Sequence, residues 1–150
     1  MIEKLTKILR DHPALVATLA DASFADALAD LTTEGVARYL LDLPDFFFTE
    51  ALERVAEFWE QGWRVYYFQR RYGSLVAPYT AATTRRNSGS GCMNYEVSAE
   101  SFSGVIRALW VVLLEEAVKP SDTGTGYAMP EVVEALIGGG KETIEGGKEQ

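Results

Sequence analysis

The feature that most constrains this chain is a change of hydrophobic period at Gly62. Ahead of it, residues 49–62, "TEALERVAEFWEQG", put Leu52, Val55, Ala56 and Trp59 on one side of a helix. Glu50, Glu53, Glu57 and Glu60 fall on the other, within about 80° of arc at about 100° per residue. Beyond it, "WRVYYFQRRY" alternates instead. Trp63, Val65, Tyr67 and Gln69 share one face of a strand, and Arg64, Tyr66, Phe68 and Arg70 share the other. Aromatics and valine favour extended backbone. A chain whose period falls abruptly from 3.6 to 2 is expected to pack a helix against a sheet. Gly62 is where that helix is expected to stop, as a glycine after the last turn commonly does.

The sheet continues downstream. Gly73 and Ser74 mark a turn, and "LVAPYTAATTRR" returns as a second strand. Pro78 cannot donate a ladder hydrogen bond, which points to an edge position. "NSGSG" is a second turn and "CMNYEV" a short third strand. Ser98 is placed to cap the last major helix, "AESFSGVIRALWVVLLEEAV". Apolar residues nearly encircle that helix, so it is expected to be buried against the sheet and another helix.

The first third reads as helices. Ile2, Leu5, Ile8 and Leu9 lie on one face, and Asp11, His12 and Pro13 end that helix and begin the next. Ser23 can cap a short third helix whose apolar positions are Phe24, Ala27, Leu28 and Leu31. "EGVARYLLDL" is a fourth helical piece ending at Pro44, and "PDFFF" reads as a break carrying Phe46, Phe47 and Phe48. The order gives an α+β domain over residues 1–119, helical to residue 62 and then an antiparallel two- to three-stranded meander with its closing helix. Residues 120–150 read as a short helix at "PEVVEALI" and a flexible glycine-rich tail.

Length and composition bound the class. At 150 residues the chain fits one domain, and its single cysteine, Cys92, excludes an intrachain disulfide. The opening "MIEKLTKILRDHPALV" lacks the unbroken apolar core of a signal peptide. The longest apolar run, "ALWVVLL", is 7 residues, far short of the roughly 20 that span a bilayer. These features point to a cytoplasmic protein with no membrane partner.

Charge is distributed unevenly. Residues 61–95 hold five arginines, Arg64, Arg70, Arg71, Arg85 and Arg86, with no lysine and no acid. The chain as a whole carries -8, so the other 115 residues carry -13 against the ribbon's +5. Overall acidity argues against sequence-blind binding to nucleic acid. The planar guanidinium binds phosphate or carboxylate through two parallel bonds and stacks on aromatic rings. Arg64, Arg70, Arg71, Tyr72, Tyr79, Arg85 and Arg86 are therefore the candidate binding residues, with Tyr66 and Phe68 as further stacking partners. Two readings stay open: the arginines neutralise the acid-rich helices of their own chain, or they meet an external partner.

Motifs for catalysis, metals and cofactors are absent from the sequence. His12 is the only histidine and sits at a helix start, where a capping or surface role is the simpler reading. One His and one Cys 80 residues apart make a poor start for zinc, and Cys92 reads as a structural thiol. Gly89 and Gly91, like Gly124 and Gly126, do not join a strand to a helix as a dinucleotide loop must. Asp21, Asp26, Asp30, Asp42 and Asp45 read as caps and helix-dipole partners rather than metal ligands. The glutamate stripe on residues 49–62 reads first as a solvated face. No catalytic residue, metal or cofactor is expected.

The run from helix through "GW" and hairpin to "SAESFSGVIRALWVVLLE" resembles small phage-encoded α/β sandwich proteins of uncharacterised function, over residues 50–116. In those an amphipathic helix, a two- or three-stranded hairpin and a final apolar helix follow in that order. The resemblance implies a phage or mobile-element accessory protein and transfers no catalytic residue. The expected function is non-enzymatic binding that inhibits or adapts host machinery, through a protein partner or a phosphate-bearing surface. Nucleic acid or a small nucleotide is the alternative ligand, and an enzyme without a recognisable motif is the third class.

Overall fold

The computed structural model describes residues 1–21, 25–67, 78–86, 92–122, 124 and 126–138. Helices α1 (Ile2–Asp11), α2 (Pro13–Asp21), α3 (Ala25–Leu28), α4 (Thr33–Leu41) and α5 (Asp45–Phe58) precede three strands, β1 (Trp63–Tyr67), β2 (Tyr79–Arg86) and β3 (Cys92–Ala99). Helix α6 (Phe102–Ala117) follows, then α7 (Pro130–Val133), which runs on into a π-helical turn over Glu134–Gly138. The strands form one antiparallel sheet in the order β1-β2-β3. This is the α+β arrangement the change of period implies, with helices N-terminal and α6 packed on the sheet.

Alternation sorts the two faces of the sheet. Ala81 and Thr83 are buried, and their partners across β1 are Val65 and Trp63. Tyr95 and Val97 complete the same face from β3. Helix α6 covers this inner face, and Trp59 at the end of α5 stacks on Tyr95 with centroids 5.6 Å apart. Leu52, Val55, Ala56 and Trp59 are all buried, while Glu50, Glu53, Glu57 and Glu60 are exposed. At the centre of the core, Phe48 meets Trp110 edge-on at 5.5 Å and Phe47 at 5.2 Å.

Several local expectations are corrected. "PDFFF" is no break: it forms the first turn of α5, with the Phe47 amide donating to the Pro44 carbonyl at 3.0 Å. Burying Phe47 and Phe48 against Trp110 outweighs the modest helix propensity of phenylalanine. Leu31 lies beyond α3 and is exposed, while Ser23 and Phe24 lie outside the described residues. Pro78 does not mark an edge strand. It precedes β2, the central strand, and so stays out of the ladder.

Ser98 belongs to β3, where its hydroxyl is 3.1 Å from that of Thr80. The cap of α6 is Ser101, whose Oγ accepts from the Gly104 amide at 3.0 Å. Helix α5 ends in paired bonds, Glu60 amide to Glu57 carbonyl and Gln61 amide to Ala56 carbonyl. The left-handed residue of this cap is Glu60, with φ 58°, and not Gly62.

Packing also continues past residue 119. Met129, Val132, Val133, Leu136 and Ile137 all join the core. The glycine-rich stretch 139–150 lies outside the described residues.

Candidate functional site

Among the described residues, Arg64, Tyr66, Asn94, Glu96 and Ser98 on the second face of the sheet are exposed. Arg64 of β1 lies opposite Ala82 of β2, which lies opposite Glu96 of β3. The next row is Tyr66, Thr80 and Ser98, and on the other side Thr84 faces Asn94. Cross-strand bonds brace this surface: Thr80 and Ser98 hydroxyls at 3.1 Å, and Thr84 Oγ1 to Asn94 Oδ1 at 3.1 Å. Arg64 and Tyr66, two residues apart on one strand, stand side by side, with the guanidinium carbon 5.8 Å from the ring centroid. Tyr66 is 38% exposed.

The candidate residues do not gather on one surface. Arg64 is on the open face. Tyr79 and Arg85 fall on the inner face with Ala81 and Thr83, because a period of 2 gives residues 79, 81, 83 and 85 one orientation. Tyr79 packs against the core, and Arg85 donates from Nη1 to the Met129 Sδ at 3.2 Å. Arg86 ends β2 opposite Cys92. Arg70, Arg71 and Tyr72 lie outside the described residues, as do the turns at residues 73–74 and 87–91.

Among the described residues the ion pairs are Lys4–Glu115, Lys7–Asp11, Arg38–Glu34, Arg107–Asp45 and Lys119–Glu116. Neither Arg64 nor Arg85 is in that set.

Sequence reasoning passed over one polar cluster. Arg107 stands in the apolar face of α6 with its side chain 14% exposed. It donates to the Leu41 carbonyl at 2.7 Å, to the Leu43 carbonyl, and to Asp45 Oδ1 at 2.6 Å. Ser103 also donates to Asp45, and the guanidinium lies 4.5 Å from the Phe48 centroid. The Ser103 hydrogen bond first, and the Arg107 guanidinium second, hold the Asp45 carboxyl below the ordinary carboxylate value. The cluster ties the end of α4 and the start of α5 to α6, a structural clamp. Its sequence signal is the lone arginine in "GVIRALWVV".

Other chemistry is sparse. Among the described residues no group of three or more His, Cys, Asp or Glu side chains could hold a metal ion. His12 packs edge-on against Tyr127 at 5.7 Å. No helix among the described residues is long and apolar enough to cross a membrane. Comparison with known proteins gives no match: no family model, no curated protein and no solved structure aligns with the chain.

Proposed function

We propose that this protein acts by binding, and that the open face of its sheet presents Arg64 and Tyr66 to an anionic patch on a macromolecular partner. In this reading it is an accessory protein, of the phage or mobile-element kind its sequence resembles, that inhibits or adapts host machinery. One observation carries the proposal. Arg64 is exposed, stands beside an exposed tyrosine, and has no ion pair among the described residues of a chain with 22 acids. A polar face is the ordinary outer side of an antiparallel sheet. An arginine and an aromatic ring side by side on it match the composition of binding hot spots.

The test compares wild type with the double variant Arg64→Gln/Tyr66→Ala. Both residues are exposed, so stability should move by no more than about 0.5 kcal/mol per site. Each protein is immobilised, exposed to host lysate, and the captured proteins are quantified by mass spectrometry. A protein retained by wild type and lost from the double variant supports the proposal. Arg85→Gln is the control, because Arg85 faces inward, and it should leave capture unchanged. Binding of a labelled single-stranded oligonucleotide that weakens steeply with salt would move the assignment to nucleic acid. Equal capture by wild type and double variant, with no oligonucleotide bound, would remove this face as the site.

A further inference from the structure

Two observations meet on the side of the sheet away from β1. The first is an open strand edge. β3 pairs with β2 in an unbroken register of eight residues, from Arg86↔Cys92 to Tyr79↔Ala99, and among the described residues no strand pairs its other side. Such an edge turns alternate amide and carbonyl groups outward. Proteins usually blunt an open edge with proline, charged side chains, a bulge or a covering element. The strand "CMNYEVSA" carries no proline or lysine, and its one charge, Glu96, lies in the open-face row with Ala82.

The second observation is a groove of about 390 Å³ beside that edge, between β3, the start of α1 and α6. Val97 lines it from β3, and Ala108, Val111 and Val112 line it from α6. Helix α6 is apolar almost all round, and the line through Ala108 and Val112 is a part that its neighbours leave half-buried. Lys4 of α1 stands at the rim, half-exposed, its ammonium 3.8 Å from Glu115.

We propose that this groove takes an extended peptide segment, which adds to β3 as a fourth strand. It seats an aliphatic side chain against Val97, Ala108 and Val112 and sets a carboxylate against Lys4. An extended backbone is the ligand that satisfies a free strand edge, and the pocket beside it reads alternate side chains. Lys4 supplies the charge complement. The groove contains neither Arg64 nor Tyr66 and shares only Ser98 with their face, so each assignment can fail without the other.

A library of random decapeptides displayed on yeast is selected against the full-length protein. Selected sequences should alternate aliphatic residues and carry an acid at a constant offset. One such peptide, added to ¹⁵N-labelled protein, should shift the amides of residues 94–99 and 108–112. Lys4→Glu should switch the selection from acidic to basic peptides. Val112→Glu should weaken an acidic peptide by about tenfold or more, through charge placed in an apolar slot. Arg64→Gln/Tyr66→Ala should bind the same peptide as wild type. The proposal is overturned by a selection whose peptides leave those amides unmoved, or by affinities indifferent to Lys4→Glu. It is equally overturned by sedimentation showing a dimer paired through β3, which would make a second copy the occupant.

Discussion

Arg107 on α6 reaches Asp45 at the first turn of α5 and donates to its Oδ1 at 2.6 Å, across 62 residues of sequence. The same guanidinium takes up the carbonyl of Leu41, which closes α4, and that of Leu43 two residues beyond it. Replacing it with methionine keeps the stem's packing but takes the donor from two carbonyls and leaves the Asp45 carboxylate with the Ser103 hydroxyl alone. Asp45 is half-exposed and recovers some hydration, which lowers the penalty. Arg107→Met should therefore destabilise by about 2–3 kcal/mol, measured by urea unfolding. A loss below about 1 kcal/mol would show that water replaces the guanidinium at these carbonyls.

Asp45 also gives stability a pH dependence of definite sign. Its folded pKa lies below the ordinary value of about 3.9, so between the two the unfolded chain binds more protons. Stability from this group is complete above the ordinary value and is lost as pH falls through the folded one. The stability difference between wild type and Asp45→Asn should stay flat above about pH 5 and shrink below about pH 4. Urea titrations at stepped pH measure it. A difference that grows on acidification would contradict the assignment.

Glu60 holds the left-handed position that ends α5, with φ 58°. A non-glycine residue there is strained by about 1–2 kcal/mol, partly offset by the entropy glycine loses on folding. Glu60→Gly should therefore stabilise the protein by up to about 1 kcal/mol. Gly62 has ordinary φ, and no atom lies within 4 Å of where an alanine Cβ would sit, so Gly62→Ala should be neutral or slightly stabilising. Thermal melts of the two variants decide which residue terminates the helix.

Local pattern reads well wherever one face is buried. Alternation alone separates Trp63 and Val65 from Arg64 and Tyr66, and helical spacing puts Leu52, Val55 and Ala56 on one side, which the structure buries. Boundaries read less well, because neighbouring signals compete. Ser98 and Ser101 are both suited to capping, and cross-strand pairing with Thr80 claims the first. Gly62 is the obvious helix stop, yet the chain turns two residues earlier. Arg85 looks like a surface residue until Met129, 44 residues on, supplies its contact. The clamp at Asp45 is likewise a tertiary fact, since nothing local links it to Arg107. Arg70 and Arg71 lie outside the described residues, while Arg64 stands exposed beside Tyr66.

The C-terminal segment offers the largest expected effect. Arg54 from α5 donates to the Ala135 carbonyl at 3.1 Å, and Trp110 from α6 donates to the Leu136 carbonyl at 3.1 Å. Carbonyls in a last helical turn lack helical partners, so two neighbouring helices supply the donors. Around these bonds Met129, Val132, Val133, Leu136 and Ile137 are buried. Each buried aliphatic side chain is worth about 1.5–3 kcal/mol, against a typical total stability of about 5–15 kcal/mol. A chain ending at residue 128 should therefore lose cooperative unfolding, seen by calorimetry. A chain ending at residue 138 keeps every one of these contacts and should melt as the full-length protein does. Trp110→Phe keeps most of the ring volume but leaves the Leu136 carbonyl unpaired in the interior, and should cost about 1–3 kcal/mol. If the chain ending at residue 128 melted within a few degrees of full length, the helix after residue 129 would be an appendage rather than a wall of the core.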